Sequence, residues 1–148
     1  MALASLIPAE QVFSQVRVAS KKQLFDEVAL RMASYMGCAE QTILDVLLER
    51  ERLGSTSVGN GMAIPHGKID GIERIYGLLM TLEHAIDFDA HDGQHVDIVC
   101  ALIAPADEGG DHLRALSVVS RFLRDKNTSM HLRNAKSHHD IIALLGSS

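Results

Sequence analysis

Two stretches decide the architecture: Ile75-Tyr76-Gly77-Leu78-Leu79-Met80-Thr81-Leu82 and Val96-Asp97-Ile98-Val99-Cys100-Ala101-Leu102-Ile103. Side chains of a strand alternate between its faces. In the first stretch Tyr76, Leu78, Met80 and Leu82 fall on one side, Gly77 and Leu79 on the other. In the second, Val96, Ile98, Cys100 and Leu102 oppose Val99, Ala101 and Ile103. A strand apolar on both sides belongs to a sheet covered on both faces, and helices provide the covers. Pro105 closes the second strand.

The helices are legible on either side of these strands. Ser20 is a good N-cap for a helix over Lys21–Met36, whose Phe25, Val28, Ala29, Met32 and Met36 recur at helical spacing; Gly37 suits its C-terminal exit. A second helix is expected over Ala39–Leu53, with Ile43, Leu44, Leu47 and Leu48 inward and Gly54 at its end. Asp111 reads as the N-cap of a helix over His112–Arg124, which carries apolar Leu113, Leu116, Val119 and Leu123; a last helix covers His138–Leu145. Val16–Val18 reads as a short strand, and Ser55–Gly71 as a glycine-rich loop without periodicity. Helices before and after central strands predict a three-layer α/β sandwich.

Size and charge limit the function classes. The 148 residues suit one domain, 1–148, and 47% apolar with 22% charged residues is ordinary for a globular protein. Fourteen basic residues stand against 19 acidic ones, net −5, with no basic block, so nucleic acid is a poor ligand. The longest apolar run, Ile98–Ala104, cannot span a bilayer, which argues against membrane insertion. Met1–Ser5 has no signal-like character, and Cys38 and Cys100 lack disulfide or CxxC spacing, so the cytoplasm is the expected compartment.

The chain has eight histidines: His66, His84, His91, His95, His112, His131, His138 and His139. The densest pattern surrounds the first, in Gly59-Asn60-Gly61-Met62-Ala63-Ile64-Pro65-His66-Gly67-Lys68. Its glycines permit close backbone approach, and Pro65 restricts both itself and Ile64. The reading is a stiffened turn that presents His66, with backbone N–H groups around Asn60, Gly61 and Gly67 able to receive an anion. The plainer alternative is a tight turn with an incidental surface histidine.

His112 opens a helix and shares a face with Ala115, Leu116 and Val119; there it is either a satisfied first-turn histidine or a polar group beside an anion at the helix N-terminus. Arg50 lies in line with Ile43, Val46 and Leu47 and has no acidic partner at i±3 or i±4. It either snorkels into water or aims its guanidinium at a phosphate. Asp87–His95 has many potential ligand types but the wrong spacing for a calcium loop, and no HExxH occurs, so no metal and no cofactor are expected. His138 and His139 diverge and read as solvated.

Leu48-Glu49-Arg50-Glu51, Gly54-Ser55-Thr56, Gly59-Asn60-Gly61 and Ala63-Ile64-Pro65-His66-Gly67-Lys68 together resemble the signature of enzyme IIA of the mannitol/fructose class of the bacterial phosphotransferase system. Phe88-Asp89, Asp92-Gly93 and Val96-Asp97 look like its central loop and strand, and Pro105 followed by His112-Leu113, Leu116 and Leu123 like its second-histidine helix. The likeness runs from about residue 5 to 145 and is nearest the nitrogen-regulatory branch. Sugar-transporting mannitol-type members tend to carry glutamate where Asn60 stands.

The resemblance implies a mixed central sheet and a phosphohistidine carrier. His66 matches the phosphoacceptor, loaded by an HPr-like donor of the nitrogen-related type, with Nε2 as the expected nitrogen. His112 matches the second histidine and Arg50 the arginine of the site. Regulated targets such as kinases or transporters are implied partners. Two other readings remain: a sugar-transport IIA component that passes phosphate to a IIB domain, and a non-enzymatic binding module.

Overall fold

Described over residues 2–106 and 109–146 in a computed structural model, the chain runs α1 (Leu3–Leu6), a 3-10 turn (Ala9–Gln11), β1 (Val12–Val16), α2 (Lys21–Met36), α3 (Glu40–Arg52), β2 (Ser57–Gly59), β3 (Met62–Ala63), β4 (His66–Ile69), β5 (Tyr76–Ile86), β6 (Val96–Pro105), α4 (Asp111–Arg124), α5 (Lys126–Asn134) and α6 (His138–Gly146). The doubly apolar stretches are β5 and β6, paired antiparallel at the centre of a six-stranded sheet. β1 lies parallel to β5 on one flank; β3 and β4 lie parallel to β6 on the other, and β2 closes antiparallel onto β3. The sheet is therefore mixed.

Alternation along β5 and β6 divides the core in two. Leu78, Met80, Val99, Ala101 and Ile103 pack with Leu24, Phe25, Val28 and Met32 of α2 and Ile43 and Leu47 of α3. Leu79, Ile98, Cys100 and Leu102 pack with Ala115, Val119 and Leu123 of α4, Leu132 of α5 and Ile141 of α6. Burying each large aliphatic side chain contributes about 1.5–3 kcal/mol. Helices thus cover both faces, the three-layer α/β sandwich that the strand pattern predicts. Val96 departs from its expected face and joins the α2–α3 core, where the pairing with β5 shifts register between Thr81 and Ile86.

Ser20 caps α2 through Oγ, which accepts from Gln23 N at 3.1 Å, and Gly37 ends the helix at φ 72°. Other elements differ from expectation. The first strand is Val12–Val16 rather than Val16–Val18; Gln15 sits at φ 56° and its N–H donates to Thr81 Oγ1, a bulge that breaks the periodicity of an edge strand. Asp111 is the first helical residue of α4, not its cap: Gly110 holds that place and the Asp111 carboxylate pairs with Arg114 at 3.0 Å. α5 was not foreseen, although Asp125 caps it by accepting from the N–H groups of Asn127 and Thr128. Ser55–Gly71 contains three short strands. Among the described residues no helix is long and apolar enough to cross a membrane.

Candidate functional site

β3 and β4 are two pieces of one line along β6: Met62 and Ala63 lie beside Ile98 and Val99, and His66–Ile69 beside Leu102–Pro105. The interruption is Ile64-Pro65. Ile64 gives its N–H to Thr56 O at 2.9 Å, and Pro65 has none to give. Pairing resumes where Pro65 O accepts from Leu102 N at 3.0 Å. His66 therefore begins a strand, not a turn. β2 reaches only β3, so no described strand covers the outer side of β4. Pro65 O and Ile69 O face β6, hence the alternating residues His66 and Lys68 direct their N–H groups to that open edge.

Gly67 faces α3, where a Cβ would stand 3.1 Å from Val46 Cγ2 and 3.3 Å from Val46 O. Its role is close helix–strand packing. Gly67→Ala is expected to displace α3 and cost about 1–2 kcal/mol, read as a lowered Tm, with partial recovery when Val46→Ala removes the nearest methyl.

His66 and Lys68 project to the opposite face, toward α4. His66 Nδ1 lies 2.8 Å from Ile64 O. A carbonyl can only accept, so in the neutral ring Nδ1 carries the proton and Nε2 keeps its lone pair. The His66 and His112 rings stand 5.4 Å apart between centroids, tilted by 48°. Together Val46, Glu49, Arg50 and Leu53 from α3, His66, Gly67 and Lys68 from β4, and His112 from α4 line an open cleft of about 460 Å³. The edge position of β4 lets both helical layers reach it. Arg50 Nη1 donates to Gly54 O at 2.8 Å, which folds the end of α3 back onto the next loop.

Both imidazoles titrate low. Burial is the main cause for His66, reinforced by the Arg50 charge and opposed by the bond to Ile64 O and by Glu51. His112 is only 7% exposed, and burial, with His66 and Lys68 nearby, pushes it down to about 4. Its Nδ1 is buried and has no hydrogen-bond partner among the described residues. Both rings are thus neutral near pH 7, not cations. An unfolded histidine titrates near 6.5 and binds a proton that buried His112 refuses, so folding stability is present above about 6.5 and falls as pH drops toward 4. Thermal melts of the protein against His112→Gln over this window should show a shallower acid loss in the variant; parallel curves would contradict that origin.

The structure brings His66, His112, Arg50 and Gly67 together, and adds Lys68, which two-residue spacing on a strand places beside His66. It does not bring Asn60 and Gly61 to the cleft. Gly61 O accepts from Asp97 N and Ile98 N, four strand positions from Leu102 beside His66, or about 13 Å. Asn60 N donates to Asp92 at 3.2 Å, and Asn60 O accepts from Arg133, which also grips Asp97 at 3.0 and 3.1 Å. This turn ties α5 to the far end of β6; the backbone donors near His66 come from the β4 edge instead. His138 and His139 are exposed, as expected, and His138 Nε2 also lies 2.7 Å from Ala9 O. Cys100 is buried, with its thiol pushed up to about 12, and takes no part in the cleft. Among the described residues no group of three or more His, Cys, Asp or Glu side chains gathers to hold a metal.

Comparison with known proteins gives this arrangement a family context. The family model of the phosphoenolpyruvate-dependent sugar phosphotransferase system, EIIA 2, matches residues 5–148. A nitrogen regulatory protein of Bradyrhizobium diazoefficiens is 42% identical over 145 residues, covering 98% of this chain and 95% of the relative. The crystal structure of nitrogen regulatory protein IIA-Ntr from Neisseria meningitidis superimposes with a TM-score of 0.90 at 30% identity, covering 97% of this chain and 98% of that one. The crystal structure of IIA mannitol from Escherichia coli shares the fold, with a TM-score of 0.78 at 20% identity over 93% of this chain and 96% of that one.

Proposed function

The chain belongs to the EIIA 2 family of the phosphoenolpyruvate-dependent sugar phosphotransferase system, and on that premise we propose that it is a phosphohistidine carrier of the nitrogen-regulatory kind, loaded on His66 Nε2 by an HPr-like donor. The observation that carries this is the His66 ring itself, with Nδ1 donating to Ile64 O and Nε2 left as the free base beside a cleft that Arg50 and Lys68 line.

The neutral Nε2 attacks the phosphorus of the donor's phosphoimidazole. A new N–P bond forms at His66 as the donor's N–P bond breaks, and the donor nitrogen leaves with the electron pair. No proton need move in that step, since Nδ1–H stays on Ile64 O. Phosphoryl transfer depends chiefly on positioning and charge stabilisation, and here Arg50, Lys68 and the edge N–H groups supply the charge. His112, neutral and close, orients the phosphoryl oxygens or the His66 ring. These groups meet the need without a metal or cofactor.

The added phosphoryl group places about two negative charges on one edge of the sheet. A partner such as a kinase or transporter that contacts this edge binds one state better than the other, which makes the carrier a regulator. This reading places the protein in the cytoplasm. Asn60, where transport members tend to carry glutamate, favours regulation over sugar transport. The test is intact-mass measurement after incubation with phosphoenolpyruvate, enzyme I and the HPr-like protein, followed by addition of a IIB domain. Phosphate gained and kept fits the regulatory carrier, phosphate passed quantitatively to IIB fits the transport component, and none gained refutes both.

A further inference from the structure

Behind the cleft lies a buried carboxylate with no role in the chemistry described so far. The Glu51 side chain is only 7% exposed and accepts from Thr56 N at 3.0 Å, from Thr56 Oγ1 at 2.6 Å and from Lys21 Nζ at 2.9 Å. Lys21 itself lies over the Phe88 ring, 4.4 Å from its centroid. An ion pair held this far from water costs desolvation that only good geometry offsets, so it is weak evidence for stability alone.

Its position suggests more. Thr56, buried at 5% exposure, uses its carbonyl to hold Ile64 N at 2.9 Å, and Ile64 uses its own carbonyl to hold His66 Nδ1 at 2.8 Å. Three consecutive anchors thus lead from the carboxylate to the imidazole. The same loop is held from its other end by Arg50 on Gly54 O. Glu51 and Arg50 are neighbours on α3 and grip one short segment, 54–56, from two sides.

We propose that Glu51, acting through Thr56 and Ile64, is a positioning residue that fixes the Nδ1–H tautomer of His66 and the placement of the Arg50 guanidinium. This rests on the phosphocarrier reading only for its kinetic consequence; the tautomer is a property of the unloaded protein. The carboxylate suits the task because Thr56 and Lys21 both approach it as donors. A glutamine offers one acceptor oxygen and turns an NH2 toward another donor, so at least one anchor is lost while shape is kept. With the Ile64 carbonyl loosened, the ring populates both tautomers, because the hydrogen bond at one nitrogen decides where the proton sits.

The experiment compares the unaltered protein with Glu51→Gln, Thr56→Val and Thr56→Ser. Nitrogen-15 histidine spectra of the unphosphorylated proteins read the His66 tautomer, and timed intact-mass measurements read phosphate uptake. The expected result is Nδ1–H in the unaltered protein and in Thr56→Ser, and a tautomer mixture in Glu51→Gln and Thr56→Val. Uptake in the latter two should slow roughly tenfold, since small misplacements of reacting groups cost rate steeply. Thr56→Ser keeps both bonds and should restore the rate. A purely structural role would lower the Tm of the variants without moving the tautomer. Folded Glu51→Gln and Thr56→Val proteins with the Nδ1–H tautomer and an unaltered rate would overturn the proposal, and should Glu51→Gln not fold, the Thr56 pair decides alone. If the unaltered protein takes no phosphate yet the tautomer still responds, the positioning stands and the phosphocarrier reading falls.

Discussion

His66→Ala is expected to take up no phosphate while keeping its fold, the largest effect available from one side chain. Loss should be complete because no neighbour can replace the acceptor. His112 is the nearest imidazole, but it is only 7% exposed and its Nδ1 is enclosed. Survival of the fold follows from how His66 is held. Its ring bond is local, to Ile64 O two residues back, and its pairing with Leu102 is made by backbone. The half-buried ring adds little to either core, so the stability cost is about 1 kcal/mol or less. Intact mass measures uptake, and circular dichroism with a thermal melt measures the fold. Labelling retained in His66→Ala would move the acceptor elsewhere and refute the assignment; His112→Ala, tested beside it, should still be labelled.

The layers were legible because β5 and β6 are apolar on both faces, a pattern that admits few architectures. α2 was legible to the residue because its cap, stripe and exit glycine agree. β3 and β4 were not, since two- and four-residue strands carry no periodicity of their own. Their pairing is dictated by β6, whose partner residues stand 36 positions further along the sequence, and Pro65 marks an interruption between them that reads locally as a turn. Two features of the site follow from this pairing and not from the local sequence. With β4 unseen, Lys68 could not be placed beside His66 by strand parity. The glycine-dense Asn60-Gly61 turn was drawn to His66 by sequence proximity, whereas Asp92, Asp97 and Arg133 hold it at the other end of β6. His66, His112 and Arg50 each carried a local cue. Their convergence came from topology, and in the sequence only the family resemblance indicated it.

Arg50→Ala should slow phosphate uptake roughly hundredfold while leaving the final extent of labelling unchanged, because it removes a fixed cation and not the acceptor. A pre-placed guanidinium beside the transferring group stabilises charge that solvent would otherwise reorganise to meet. With His66 and His112 neutral, Arg50 and Lys68 are the side-chain cations lining the cleft, so the loss of one is not absorbed by a charged histidine. The loop 54–56 also loses its bond from Arg50 to Gly54 O, but Glu51 still holds Thr56 through both N and Oγ1, so the fold should persist with a modest fall in Tm. Arg50→Lys separates charge from geometry. A lysine retains the charge but not the planar fork that can bond Gly54 O and still present N–H groups to an anion. It should therefore recover part of the rate, and an Arg50→Ala protein loaded at the unaltered rate would show that Lys68 and the edge N–H groups carry the phosphoryl charge by themselves.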